Sequence, residues 1–272
     1  MTAETTAETI TQAALGNRPD ALAESVSLAT PLTMGRLAGR DRAVAVLRQL
    51  GAAFDVGAPG FVAEDPQRSI VTFPGHAEGH DVGLLAILTP GADGRYQAVD
   101  LYARPWPFVA VVRDKLAAGD SLYRDDVDLS TPYVPSGPTA GYLPEPPAVP
   151  DLAADVAFHS PVLTATATGR DLVGTVLAAV AEASGQPRYR FATVSGNEVA
   201  VSYDGMVHGH TWQVAAILGL NSGGEIGDMR IYSRPWPVTA LFRGEVFKLL
   251  RGVLGPEFWL GQPPLVALGE AQ

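Results

Sequence analysis

Five histidines are the residues best suited to acid–base or metal chemistry in this chain: His76, His80, His159, His208 and His210. His208-Gly-His210 places two imidazoles two positions apart, a spacing metals use on an extended chain. The intervening glycine reads as a turn and no third ligand is evident, so no metal is expected. His159 precedes Ser160-Pro161. It reads either as a general base beside Ser160, with Tyr203 as hydrogen-bond donor, or as a hydrogen-bonded histidine at a strand end. Asp228 lies on a run in which Asp228, Arg230, Tyr232 and Arg234 alternate with Met229, Ile231 and Ser233. A catalytic Asp228 requires the charged face to line a pocket; the competing reading turns that face toward a neighbouring sheet. Glu198 is expected to be a solvated charge near a hairpin. No cysteine is present, which removes thiolate ligands, disulfides and a cysteine nucleophile. Phosphate loops, nucleophile elbows and zincin motifs are also missing, and no cofactor is expected.

The elements that position these residues come in two copies. YARPWP starts at Tyr102 and YSRPWP at Tyr232, and the same offset aligns Gly39-Arg-Asp41 with Gly169-Arg-Asp171. It also aligns Gly79-His80 with Gly209-His210, Ala86-Ile-Leu88 with Ala216-Ile-Leu218, and Arg113 with Arg243. Roughly two dozen identities share one register without a gap, the signature of an internal duplication. Between the copies, Ser130–Pro150 is rich in proline, which fixes φ and removes donors, so an extended connector is expected. The expected organisation is a first domain over 1–129, a linker over 130–150 and a second domain over 151–272.

Within each copy, apolar residues at helical spacing follow Gly-Arg-Asp: Leu172, Val173, Val176, Leu177 and Val180, matched by Val44, Leu47, Leu50 and Phe54. Short β-rich runs then cover Arg188–Val194, Glu198–Tyr203 and about His210–Leu220. Gly223-Gly224, like Asp93-Gly94, signals a hairpin. A last strand ends at Arg234, and Pro237 opens a closing helix. Helix, antiparallel sheet and helix make an α+β layer architecture.

Asp155-Val-Ala-Phe-His-Ser-Pro-Val162, Gly169-Arg-Asp171, the turn at Gly223-Gly224 and Arg234-Pro235 together resemble the nuclear transport factor 2-like superfamily, in particular its SnoaL-like branch. The resemblance implies two tandem cone-shaped α+β barrels, each a bent sheet around helices enclosing an apolar pocket, arranged as a covalent pseudo-dimer. It implies a small apolar, polyketide-like ligand and, where catalytic, cyclisation, isomerisation or epoxide opening in bacterial secondary metabolism; the alternative is a non-catalytic binding or scaffolding protein. In the isomerase and polyether-cyclase branches of that superfamily a general-base aspartate precedes a proline early in the domain. Here those positions are Thr30-Pro31 and Ser160-Pro161, and neither copy keeps the acid. The strand face His210, Trp212, Val214, Ala216, with Phe191 and, in the first copy, His80 and Leu84, is the expected ligand-binding surface. His159 replaces Ala29, so the second copy is the expected working site.

A formal net charge of −10 and a pI near 4.9 disfavour nucleic acid as a partner. No stretch reaches the length of a membrane span and the acidic N-terminus is unlike a signal peptide. A cytoplasmic protein is expected, acting as a monomeric pseudo-dimer or a higher homo-oligomer.

Overall fold

The computed structural model describes residues 6–124, 129–135 and 141–261. Residues 1–5 and 125–128 of the expected first domain, 136–140 of the linker and 262–272 of the second domain lie outside the described residues.

The first repeat runs α1 (Thr6–Ala14), β1 (Leu22–Ala29), β2 (Arg36–Ala38), α2 (Arg40–Ala53), β3 (Val62–Asp65), β4 (Arg68–Ala77), β5 (His80–Pro90), β6 (Tyr96–Arg104) and α3 (Trp106–Gly119). The second runs β7 (Leu152–His159), β8 (Ala167–Thr168), α4 (Arg170–Ser184), β9 (Arg188–Ser195), β10 (Glu198–Val207), β11 (His210–Leu220), β12 (Ile226–Arg234) and α5 (Trp236–Leu250). α2 and α4 start after Gly39 and Gly169, whose φ values of 95° and 90° turn the chain out of the preceding strand. Asp41 and Asp171 then place a carboxylate at the positive end of the helix dipole.

All strands belong to one sheet, with the path β3-β4-β5-β6-β12-β11-β10-β9. β1 pairs in parallel with β6, and β7 with β12, each also pairing antiparallel with a short strand. β6 and β12 meet antiparallel at Ala103 and Ser233, which occupy equivalent positions in the two repeats, so this register marks a pseudo-two-fold axis. The outer strands approach each other as well. Thr193 Oγ1 donates to Asp65 Oδ2 at 2.7 Å, and the Arg68 guanidinium lies 4.1 Å from the centre of the Phe191 ring. The sheet is therefore nearly closed.

Strand alternation sends residues to two cores. One face packs on the helices. The other forms a smaller core between the repeats, where Phe61, Leu85 and Tyr102 meet Phe191, Ile217 and Tyr232. The RPWP segments hold the junction: Trp106 N–H donates to Pro161 O at 2.6 Å and Trp236 N–H to Pro31 O at 2.8 Å. The two indoles stack at 5.6 Å, and the Arg–Pro bonds at 104–105 and 234–235 are cis.

Candidate functional site

In the second repeat α4 and α5 stand off the sheet and leave a cavity of about 260 Å³. Phe158, Leu177, Trp212, Met229, Ile231 and Phe242 form its wall, and Val149, Gly185, Pro187 and Tyr189 border it toward the linker. Trp212 stacks on Phe242 with centroids 3.8 Å apart. Its indole Nε1 donates to Thr239 Oγ1 at 3.3 Å, so the ring is fixed and its polar atom is used. Ser184 also lines the cavity, and its hydroxyl is spent on Val180 O at 2.8 Å.

Tyr203 is different. Its ring lines the cavity and packs against Tyr189 at 5.6 Å, while its hydroxyl has no hydrogen-bond partner among the described residues. Burial, with the neighbouring Tyr189, pushes its ionisation far above the ordinary phenol range, so it stays protonated and can donate. Among the described residues, no Asp, Glu, His, Lys or Arg lines this cavity.

Equivalent positions explain why the first repeat packs differently. Where Ser184 stands in the second repeat, Phe54 stands in the first and is completely buried; where Tyr203 stands, Phe73 does. The helix α1, which the sequence pattern did not single out, buries Ile10, Ala13 and Ala14 against the same core.

The expected site residues divide between the two faces of the sheet. His159 Nε2 lies 3.1 Å from Asp228 Oδ1, and Thr166 Oγ1 lies 3.1 Å from His159 Nδ1. These two expected catalytic groups thus meet, but Tyr203 does not join them. Phe158 and Met229, their neighbours in sequence, line the cavity, so alternation turns His159 and Asp228 to the opposite face. Burial raises the Asp228 carboxyl, but the His159 contact and the Arg230 charge outweigh it and hold the group below its usual range. Arg230 forms an ion pair with Asp228, Nε to Oδ2 2.8 Å, and donates to Glu198 through Nη2; Glu198 is paired, not merely solvated.

Of the expected ligand-binding face, Trp212 and Ala216 line the cavity, and Val214 is buried in the core beside them. Phe191 belongs to the core between the repeats instead, because it sits on the other face of β9. In the first repeat Leu84 is packed in the core, and His80 stacks on Phe108 at 3.9 Å. His210 is taken by the linker: its Nδ1 accepts from Tyr133 N–H at 3.0 Å, and Thr211 N–H donates to Tyr133 O at 2.9 Å. His208 and Gly209 both have positive φ, 47° and 83°, and form the tight turn of the β10–β11 hairpin. That turn sends His208 to Glu245 at 2.8 Å rather than alongside His210. No group of three or more His, Cys, Asp or Glu among the described residues is arranged to hold a metal ion. No helix of the described residues is long and apolar enough to cross a membrane.

Two functional-looking groups escaped the sequence reading. Arg190 grips Asp204 with two bonds of 2.8 and 2.6 Å, and Tyr142 of the linker donates to the same carboxylate at 2.6 Å. Arg243 is fully buried and donates to the carbonyls of Val162, Trp259 and Leu260; burial pushes its guanidinium down to about 10. Only the match with Arg113 pointed to it.

Several solved structures are similar to part of the chain. A bacterial protein with a cystatin-like fold from Silicibacter pomeroyi is 29% identical, covering 38% of this chain and 72% of its own, with a TM-score of 0.36. A steroid delta-isomerase from Pseudomonas aeruginosa is 20% identical, covering 37% of this chain and 75% of its own, TM-score 0.36. The chain is similar to cystatin-like and SnoaL-like proteins. A SnoaL-like family protein from Agrobacterium tumefaciens is 18% identical and is matched over 99% of its length and 38% of this chain, TM-score 0.29. No family model and no curated protein matches the chain. The α+β fold with a curved, nearly closed antiparallel sheet rests on the topology above, and the similar structures carry the fold names that the sequence motifs pointed to.

Proposed function

We propose that the second repeat binds a small, largely apolar, polyketide-like molecule that presents one carbonyl to Tyr203, and that the first repeat supports it as the other half of a covalent pseudo-dimer. The two repeats then act as domains over 1–129 and 151–272, joined by the linker over 130–150, in a bacterial cytoplasmic protein. The observation that carries this reading is the apolar cavity with two tyrosines in its wall, Tyr203 and Tyr189, whose hydroxyls have no hydrogen-bond partner among the described residues. An apolar cavity of about 150 Å³ takes a benzene, so about 260 Å³ suits one to two fused rings. A phenol that lines an apolar cavity without a partner rewards a ligand that accepts its hydrogen bond and disfavours one that does not.

The second reading is catalysis by the same cavity, as cyclisation, isomerisation or epoxide opening. Tyr203 would polarise a carbonyl or epoxide oxygen there. The cavity wall supplies no general base, and His159 with Asp228 faces away from it, so binding is the better supported of the two.

The test compares 1-tetralone with tetralin, two ring systems of this size with and without a carbonyl, by isothermal titration calorimetry. Wild-type protein is expected to prefer tetralone, and Tyr203→Phe to lose that preference by about 1 kcal/mol, roughly fivefold. Failure of wild-type protein to bind either compound sinks the proposal.

A further inference from the structure

The pseudo-two-fold axis brings Arg104 and Arg234 to equivalent places, yet only one of them has a carboxylate. Arg234 lies 5.1 Å from the Tyr102 ring centre, and Asp100 Oδ1 accepts from its Nη2 at 3.0 Å and from Arg36 Nη1 at 2.6 Å. At the related place Arg104 lies 5.5 Å from the Tyr232 ring centre. The residue equivalent to Asp100 is Arg230, and the one equivalent to Arg36 is Thr166. Continuing the antiparallel register from Ala103 and Ser233 sets Arg104 opposite Tyr232 and diagonal to Arg230. Diagonal neighbours stand about 7–8 Å apart, within reach of long side chains.

The nearby carboxylates are already engaged. Asp228 and Glu198 bind Arg230. No hydrogen bond or ion pair reaches the Arg104 guanidinium from the described residues, and its Nε is buried without an acceptor. The residues around Arg104 are also smaller and less polar than at the other end of the junction. Arg190, Asp204 and Gln213 there correspond to Gly60, Pro74 and Gly83 here, so no carboxylate stands at these positions, and Tyr232 and Arg104 pack closely over Gly83, where a Cβ would come within 3.0 Å of the ring and 3.3 Å of Arg104 Nε. A half-buried cation without a counter-charge is costly, and an anion from solution that meets it recovers that cost.

We propose that Arg104, backed by Tyr232 and Arg230 at the junction of the repeats, is a binding site for a carboxylate-bearing small molecule. The Asp100 carboxylate between Arg36 and Arg234 is the internal template for the bound group. A planar guanidinium presents parallel donors that match a carboxylate. The site lies on the face of the sheet opposite the Tyr203 cavity and does not depend on it.

The test titrates ¹⁵N-labelled full-length protein with sodium acetate, and separately with inorganic phosphate, against sodium chloride at matched ionic strength. The readouts are the Arg104 Nε–H resonance and the thermal midpoint. Acetate is expected to shift the resonance saturably and raise the midpoint, with no such effect from chloride and a weaker one from phosphate. Arg104→Gln is expected to abolish the rise. Should that variant fold poorly, Arg104→Lys keeps the charge, loses the fork and is expected to bind acetate about tenfold more weakly. An acetate effect equal to that of chloride, or one that survives in the Arg104 variants, overturns the site; tighter binding of phosphate than acetate overturns the ligand class.

Discussion

The Arg234 guanidinium and the Asp100 carboxylate meet at 3.0 Å across the strand pair that joins the two repeats. Arg234 is 4% exposed, and although burial opposes its charge, Asp100 and the neighbouring tyrosines raise its affinity for the proton. Removing Arg234 deletes this charged hydrogen bond but leaves Asp100 its contact with Arg36, a loss of about 1.5–3 kcal/mol. Arg234→Met is therefore expected to lower the urea-unfolding free energy by that amount. Arg104→Met, which abandons no carboxylate, is expected to change it by less than about 1 kcal/mol. Equal losses in the two variants would refute this account of the junction.

Ser184 and Phe54 provide a second contrast between the repeats. Exchanging them should move the free space. Ser184→Phe is expected to eliminate tetralone binding and to cost about 1–3 kcal/mol from overpacking, because Gly205 already lies close to the Ser184 Cβ. Phe54→Ser is expected to cost about 3–5 kcal/mol, the range for losing a buried phenyl ring. Unaltered tetralone affinity in Ser184→Phe, measured by calorimetry on folded protein, would place the ligand elsewhere.

Much of this was readable because the chain aligns with itself. The shared register of Gly39-Arg-Asp41 and Gly169-Arg-Asp171, and of the RPWP segments, foretold the repeated helix–sheet–helix order and directed attention to the second copy. Alternation also pointed to Asp228, Arg230, Tyr232 and Arg234 facing the other repeat, as the inter-repeat contacts of Tyr232 and Arg234 bear out. The same rule, carried into β7, separates His159 from the cavity once Phe158 is placed in it. What the sequence hid were contacts with no periodic signal. The linker's Tyr133 and Tyr142 reach His210 and Asp204 over separations of 77 and 62 residues. The Arg234 and Arg104 guanidinium groups lie over the Tyr102 and Tyr232 rings, and Arg113 covers Trp236 at 3.7 Å.

Asp228 sets an acid limit on stability. Its folded pKa lies below the unfolded value of 3.8, so its stabilising contribution is complete above that value and disappears as pH falls through the folded one. Asp228→Asn is expected to be less stable than wild type near pH 5 and to narrow the gap as the pH drops below 3.8. Parallel acid-unfolding curves for the two proteins would show that the contact with His159 and Arg230 contributes nothing to the pH dependence.

His210 acts at milder pH. Burial is the largest influence and lowers its pKa from 6.5; the carbonyl of Leu129 acts in the opposite direction, and His208 lowers it further. A histidine that binds its proton less well folded than unfolded leaves more protons on the unfolded chain, so stability rises with pH between the two pKa values. The stabilisation is complete above 6.5 and is lost as pH falls from there toward the folded value. The geometry gives the same sign, since a proton on Nδ1 would occupy the lone pair that accepts Tyr133 N–H. Between pH 7 and pH 5, wild-type protein is expected to lose stability and to expose the Tyr133 amide to hydrogen exchange. His210→Gln, which has no titrating group, is expected to show a shallower slope over that interval in urea titrations at each pH. A variant slope as steep as the wild type would assign the pH dependence to other groups and leave His210 as a packing residue only.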